Sequence, residues 1–389
     1  MAAQHGSRYP TSGSSPELLK ALLAQHPRPT FSGDLSFLNN YTYRLGSDLL
    51  TPIGRSQLYD SGVSAAMSYG SLVERDLAST GAAVLVRAGS QRRIVDSALS
   101  FVQGFFGTYE WRNRTELQVQ IEAPGFNSTL ASNFACPNYG KAWTTPGVSA
   151  QRGWIKEYLA DAKTRLAPLM TGKSSVPLDE VLLHAMQQVC SYDTVAFGQS
   201  DFCGLFSERE WLGFEYAFDL LFYGIDAAGG PLGRAMGVGW LSEMLARLTR
   251  TPWNANLQTS ENRTLDATKE TFPIDRRFYA DFTHDSVITA VLSALDLPML
   301  NAPLRNDPNR SFKLTQLVPY AARLVVEAVT CRGKQRYVRF ILNDAVLPLT
   351  GLAGCKPRSD GMCELDAFVK SQEDRVERAQ WSNCTRSDV

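Results

Sequence analysis

The chain has 389 residues, 44% hydrophobic and 20% charged, which is enough to bury a substantial core and too apolar for a disordered segment. Lys plus Arg and Asp plus Glu both number 39, so no global field draws the chain to nucleic acid or to an anionic membrane, and any attraction for an anion has to be local. No apolar run reaches the roughly 18 residues of a membrane helix, and Met1 to His5 do not form a signal peptide.

Residues 14–25 open with Ser-Ser-Pro-Glu and place Leu18, Leu19, Leu22 and Leu23 on one face, which predicts an amphipathic helix. Residues 82–87 read as a short buried strand, and 93–106 return to helical spacing through Ile94, Val95, Leu99, Phe101 and Val102. Strict alternation over 117–123 predicts a half-buried strand. From about 125 to 273 the patterns are mostly helical, as at 178–189, 208–222 and 237–248. Sheet signals then resume, with a strand over 277–283, a helix over 286–295, and paired strands over 322–330 and 336–342. The expected layout is a discontinuous α/β core, residues 1–124 and 274–389, interrupted by a mainly helical lobe, residues 125–273.

Asn-x-Ser/Thr sites at Asn40, Asn113, Asn127, Asn262, Asn309 and Asn383 point to the secretory route. Seven cysteines agree with it: Cys190 and Cys203 bracket a short loop, as do Cys355 and Cys363, which suits disulfides better than zinc, whose usual Cys-x₂₋₄-Cys knuckles are missing. An odd cysteine in a secreted chain is a reactive thiol or one whose partner is absent.

Two constellations carry chemistry. The first is His5-Gly6-Ser7-Arg8-Tyr9-Pro10, of the form His-Gly-x-Arg-x-Pro; the second is His284-Asp285, where a predicted strand ends and a helix begins. A neutral His5 imidazole can attack phosphorus and divide one hard hydrolysis into formation and breakdown of a covalent intermediate. Arg8 and Arg93 can hold phosphate with paired hydrogen bonds, and His284 adds a donor. Asp285 serves as general acid toward the leaving oxygen, a role that needs a protonated carboxyl and therefore an acidic optimum. His-Asp at a helix start is also an ordinary capping arrangement. His26, before a proline, and His184, in a helix, read as structural. Ser7 lacks the Gly-x-Ser-x-Gly elbow of a serine hydrolase, and composition does not separate Arg93 from Arg87 and Arg92, either of which reads equally as a solvated charge.

On these motifs the chain resembles the histidine acid phosphatases of the fungal phytase type, which carry Arg-His-Gly-x-Arg-x-Pro early and His-Asp late. Residues 43–62, 87–105, 231–249 with Gly-Val-Gly-Trp, and 343–349 share the likeness, so it covers nearly the whole chain. The resemblance implies a phosphoglycerate-mutase-like sandwich, a sheet with helices on both faces, plus a helical lobe across the substrate cleft. It implies a secreted acid phosphomonoesterase needing no cofactor or metal, with phosphate monoesters as substrates and phytate as one candidate. His5 would be the nucleophile, Asp285 the proton donor, and Arg8, Arg93 and His284 the phosphate-binding residues. Disulfides are implied for Cys136 with Cys384, Cys190 with Cys203, and Cys355 with Cys363, which leaves Cys331 alone.

Two departures from the family pattern shape the expectations. The signal peptide and the apolar strand running into the His-Gly motif are expected to be missing from a shortened N-terminus, leaving two sheet edges exposed. Gln4 stands where the family has its first arginine, and loss of a charge-assisted hydrogen bond worth roughly 1.5 to 3 kcal/mol would slow turnover about ten- to a hundredfold. These departures motivate an alternative: a crippled relative of the same fold that binds phosphorylated ligands but turns them over poorly.

Overall fold

In the computed structural model, which describes residues 1–144, 146–252, 258–301, 304–331 and 333–386, ten strands form one large mixed sheet and one small one. They are β1 (Ala2–Gln4), β2 (Thr30–Phe31), β3 (Val84–Gly89), β4 (Thr115–Gln120), β5 (Met170–Thr171), β6 (Ala280–Thr283), β7 (Arg323–Thr330), β8 (Arg336–Leu342), β9 (Ala345–Leu347) and β10 (Cys363–Glu364). The large sheet runs β10-β8-β7-β1-β6-β3-β4, with β9 beside β8; β2 and β5 pair separately.

The strand expected to be missing is present, and this corrects the sequence reading. β1 runs parallel to β6 (Ala2↔Asp281, Ala3↔Phe282, Gln4↔Thr283) and antiparallel to β7 (Ala2↔Leu324, Ala3↔Arg323), so no gap opens between those two strands. Three residues suffice because their neighbours supply the ladder on both sides. Small side chains let the segment sit at the centre: Ala2 packs in the cluster on one face of the sheet and Ala3 in the cluster on the other. One face is covered by the helices Gly233–Thr249, Asp285–Ala294 and Leu365–Ser371, and the other by Pro52–Thr80 and Arg92–Phe106.

The Pro52–Thr80 helix has no counterpart in the apolar periodicity. Its buried face is made largely of Gly54, Ser61, Gly62, Ala65 and Asp76, so it presents little apolar stripe to read. Those small residues allow close contact: a Cβ at Gly62 would lie 2.0 Å from the Phe101 carbonyl oxygen, and one at Gly104 2.0 Å from that of Tyr59. Backbone approach of this kind favours glycine over any residue with a side chain.

A third apolar cluster lies among helices. Leu159, Ala162 and Leu166 pack with Leu182, Leu183, Met186 and Val189 of the Glu180–Phe197 helix. Leu19, Leu22, Leu35 and Leu38 join this cluster from the N-terminal region, and the Gly233–Thr249 helix packs instead on the sheet face, so two segments cross the expected span of 125–273. The three expected disulfides form, with Cα–Cα distances of 4.7 Å for Cys136–Cys384 and 5.1 Å for both Cys190–Cys203 and Cys355–Cys363; Cys331 is a free thiol. Of the six glycosylation sequons, Asn383 is buried and its amide donates to the Pro231 carbonyl, which removes it from the accessible set.

Candidate active site

β1, β6, β3 and β4 are mutually parallel, so their carboxyl ends lie along one edge of the sheet. In an α/β protein this edge is where chain leaving a strand can offer side chains to a ligand. His5 follows β1, His284 and Asp285 follow β6, Arg93 lies four residues past β3, and Glu122 lies two residues past β4. Residues far apart in sequence meet here because the register puts Gln4 level with Thr283 and Gly89 level with Gln120.

The His-Gly turn is held from below by the start of the Pro52–Thr80 helix. A Cβ on Gly6 would lie 2.1 Å from the Gly54 carbonyl oxygen, and one on Gly54 2.0 Å from that of Ser7. Thr51, the N-cap of that helix, accepts from Gly54 N at 3.1 Å and donates to Ser7 O at 3.2 Å. Ser7 N donates to Gln57 Oε1 at 2.8 Å, and Gly6 N donates to Ser97 Oγ at 3.3 Å. Two helices on the same face therefore fix the loop that carries His5 and Arg8.

The His5 ring is 1% exposed, and its Nδ1 lies 2.9 Å from the Gly6 carbonyl oxygen. Because a carbonyl only accepts, Nδ1 carries the hydrogen and Nε2 keeps its lone pair. Burial holds the His5 pKa well below the ordinary value, and the neighbouring charges of Arg8, His284 and Arg93 push it further the same way, against the Gly6 carbonyl. The ring thus stays neutral into the acid range, as a nitrogen nucleophile must.

Arg8 and Arg93 are half-buried cations, and among the described residues neither forms an ion pair with a carboxylate. Burial opposes the Arg8 charge, but Tyr192, Tyr320 and Asp285 outweigh it and raise its pKa. Burial and the Arg8 charge lower that of Arg93. The Nε atoms of both arginines are buried with no protein partner, which suits donors reserved for an anionic ligand. Arg87 and Arg92 now separate from Arg93. Arg92 is a surface charge, its side chain 72% exposed, whereas Arg87 is fully buried and locked to Asp281 and Glu243, so the solvated reading of Arg87 is corrected.

His284 forms the N-cap of the Asp285–Ala294 helix, and its Nε2 lies 2.8 Å from Glu122 Oε2; its ring meets that of His5 edge-on at 5.9 Å. Burial works to raise the Glu122 pKa, but the His284 bond, the Gln91 backbone bond and Arg93 hold it low, so Glu122 is an anion that orients the histidine. Asp285 Oδ1 accepts from Ser286 N at 2.8 Å, placing the carboxyl in the first turn of the helix. The structure thus brings His5, Arg8, Arg93, His284 and Asp285 into one cluster. His26 lies apart, and His184 is a core residue whose Nδ1 meets the Tyr158 hydroxyl at 2.8 Å; burial lowers its pKa to about 4.

Gln4 does not stand free for a ligand. It is 1% exposed, and with its amide oriented to satisfy its surroundings the nitrogen donates to Pro319 O at 2.8 Å and Val318 O at 3.0 Å. It braces the segment that carries Tyr320, whose ring lies 6.0 Å from that of His5. Glu122, Tyr192 and Tyr320 were not singled out from sequence. Glu122 had one available signal, its place at the end of the alternating stretch 117–123, while Tyr192 reaches the site from the Glu180–Phe197 helix and Tyr320 from the turn before β7, both distant in sequence.

A neutral buried imidazole, two arginines with unpaired buried donors and a carboxyl at a helix start, gathered on the carboxyl edge of a parallel sheet, define a site for phosphate-ester chemistry. The chain matches the Histidine phosphatase superfamily (branch 2) over residues 3–343, and it belongs to that family of phosphoric monoester hydrolases. It is 32% identical over 403 residues to Phytase A of Aspergillus oryzae, covering 98% of this chain and 83% of the relative, and 32% identical over 411 residues to Phytase A of Penicillium oxalicum, covering 98% and 84%. Among solved structures, the phytase from D. castellii superposes with a TM-score of 0.76 at 22% identity, covering 100% of this chain and 81% of that one. The Bifidobacterium longum multiple inositol polyphosphate phosphatase in complex with inositol hexasulfate gives 0.68 at 13% identity, covering 94% and 89%. These two structures share the fold.

Proposed function

We propose that the chain hydrolyses phosphate monoesters at acid pH through a phosphohistidine on His5, with Asp285 as proton donor and Arg8, Arg93 and His284 holding the phosphate. The observation that carries this reading is the state of His5: a buried, neutral ring whose Nδ1 is committed to the Gly6 carbonyl, leaving Nε2 as nucleophile beside two arginines with unpaired donors. The P–Nε2 bond forms as the ester P–O bond breaks, and the departing oxygen takes the Asp285 proton. Water then attacks phosphorus, the P–N pair returns to His5, and the water's proton passes to Asp285. Arg8 and Arg93 balance the charge on the equatorial oxygens.

Phytate is a candidate substrate, supported by the Phytase A relatives. The three disulfides support an oxidising, extracellular setting, and among the described residues no helix is long and apolar enough to cross a membrane. The proposed division is a core of 1–124 plus 274–389 and a lobe of 125–273, crossed by two segments: residues 19–38 pack with the lobe and the Gly233–Thr249 helix with the core, and the substrate enters between the two. A second reading, the crippled phosphate binder, has no observation in its favour, since the nucleophile and its partners are present together. The test is hydrolysis of an aryl phosphate from about pH 3 to 8 by the chain and its His5→Ala variant. Acid-peaked activity lost with His5 supports the proposal; a folded wild-type chain with no turnover anywhere in that range contradicts it.

A further inference from the structure

One buried carboxyl near this site has no part in the mechanism above. Asp226 caps the C-terminal end of the Glu208–Ile225 helix, its N–H donating to Phe222 O at 2.8 Å, and the residue is 4% exposed. Its chain neighbours tie it to the helix that begins with Asp285: Ile225 shares an apolar cluster with Ala290, and Ala227 shares another with Val287 and Ile288. Tyr139, from the 3-10 helix Pro137–Thr144, donates its hydroxyl to Asp226 Oδ1 at 3.2 Å. Among the described residues, the titratable groups that act on Asp226 are Tyr139 from one element and Asp285 from another. Other charges nearby are committed elsewhere: Asp219 and Glu215 of its own helix bind Arg310, and Arg234 of the Gly233–Thr249 helix binds Asp296.

This is a poor place for an anion. A helix C-terminus presents the negative end of the macrodipole, the site is dry, and a second carboxyl stands close by. Burial first, then Asp285, pushes the Asp226 pKa up to about 8, with the Tyr139 bond pulling against them. Burial, Asp226 and Asp285 likewise raise the Tyr139 pKa, so its hydroxyl keeps its proton.

We propose that Asp226 is a positioning residue for the proton donor: a buried carboxyl, held by Tyr139 at a helix C-terminus and packed toward the helix that Asp285 begins, that adds no second charge beside Asp285 while the phosphate is bound. The inference rests on the phosphohistidine reading and deepens it. When Asp285 gives its proton to the leaving oxygen, the carboxylate it becomes faces a neutral neighbour. When water's proton returns to Asp285, Asp226 is unchanged; it is never the acid itself. Ionisation of Asp226 would place a second negative charge by the oxygens that Arg8 and Arg93 hold, and anion binding would weaken.

Sulfate is a suitable probe, because its own charge does not change from mildly acid to mildly alkaline pH. Calorimetric titration of the wild-type chain with sulfate from about pH 5 to 9 is expected to show affinity falling at least tenfold as Asp226 ionises. In Asp226→Asn, which cannot ionise, that alkaline loss should shrink to threefold or less. Tyr139→Phe removes the bond that favours the Asp226 anion, so the loss should move to higher pH. Parallel loss of affinity in all three proteins overturns the proposal. If Asp226→Asn does not fold, Tyr139→Phe decides alone: a shift to higher pH upholds it and an unmoved profile overturns it. A wild-type chain that neither binds sulfate at pH 5 nor turns over an aryl phosphate sinks the functional reading instead, and the proposal with it.

Discussion

The same two strands build two buried clusters of charge, a few residues apart, and the clusters are opposites. Within β3 and β6, the cross-strand pair Arg87 and Asp281 forms a double hydrogen bond, Nε to Oδ1 at 2.7 Å and Nη2 to Oδ2 at 2.9 Å. Glu243 accepts from Arg87 at 2.6 Å and from Thr129 at 2.9 Å, and Asp281 also accepts from Trp240 Nε1 at 2.9 Å and Arg247 at 2.8 Å. Burial alone would raise the Asp281 pKa, yet Arg247 and Arg87 drive it far below the ordinary range. Just past the ends of those strands, Arg93 and Asp285 belong to a cluster in which Arg8, Arg93 and His284 lie close together, and burial and mutual repulsion depress the His5 and Arg93 pKa values. In the first cluster the carboxylates are neutralised by protein, which is how a buried charge becomes compatible with folding. In the second, His284 has the Glu122 carboxylate, but among the described residues Arg8 and Arg93 are held near one another without a carboxylate in contact, which costs stability and leaves work for a ligand.

The comparison breaks most sharply at the nucleophile. His5→Ala should lower aryl phosphate turnover by at least about a thousandfold while the thermal midpoint changes little, because the ring contributes no ion pair to the fold. Arg87→Met should do the reverse. It leaves Asp281 and Glu243 buried with less compensation, at a cost of about 3 to 5 kcal/mol seen in denaturant unfolding, with activity per folded molecule retained. Arg93→Ala should cut turnover about ten- to a hundredfold and leave stability equal or slightly improved, since it removes a cation from a crowded site.

A pH test sharpens the structural side. Burial first, then Glu243, pushes the Asp266 pKa up to about 8, above its unfolded value. A raised carboxyl pKa contributes stability that is full below the unfolded pKa and lost as pH rises through the folded one. The thermal midpoint of Asp266→Asn, measured against wild type, should therefore rise in relative terms by a few degrees between about pH 4 and 8. The smallest effect belongs to Arg92→Ala: its charge is exposed, so stability should move by less than about 0.5 kcal/mol and turnover not at all.

What was legible in sequence was what local pattern encodes. β3 opens on the apolar run Val84-Leu85-Val86, and His-Gly-x-Arg-x-Pro and His-Asp mark where β1 and β6 release the chain. β1 was not legible, because Met-Ala-Ala-Gln has no β-branched residue and takes its strand from the ladders of β6 and β7. The Pro52–Thr80 helix was hidden because its inward face is largely glycine, serine and alanine, with Leu58 and Val73 too far apart to mark a stripe. Gln4 was read as a missing charge, and its meaning became clear only when the Val318 and Pro319 carbonyls were found against it. Tyr192, Tyr320, Tyr139 and Asp226 reach the active-site region from helices and loops distant in sequence, and no spacing along the chain could announce them.

The central claim is that His5 carries the phosphoryl group, and rapid quenching of the chain with a radiolabelled aryl phosphate tests it directly. The account predicts an acid-labile, alkali-stable phosphoprotein whose label maps to the peptide containing His5 and is absent from His5→Ala. Turnover at full rate with no label retained, or label retained by His5→Ala, would contradict it.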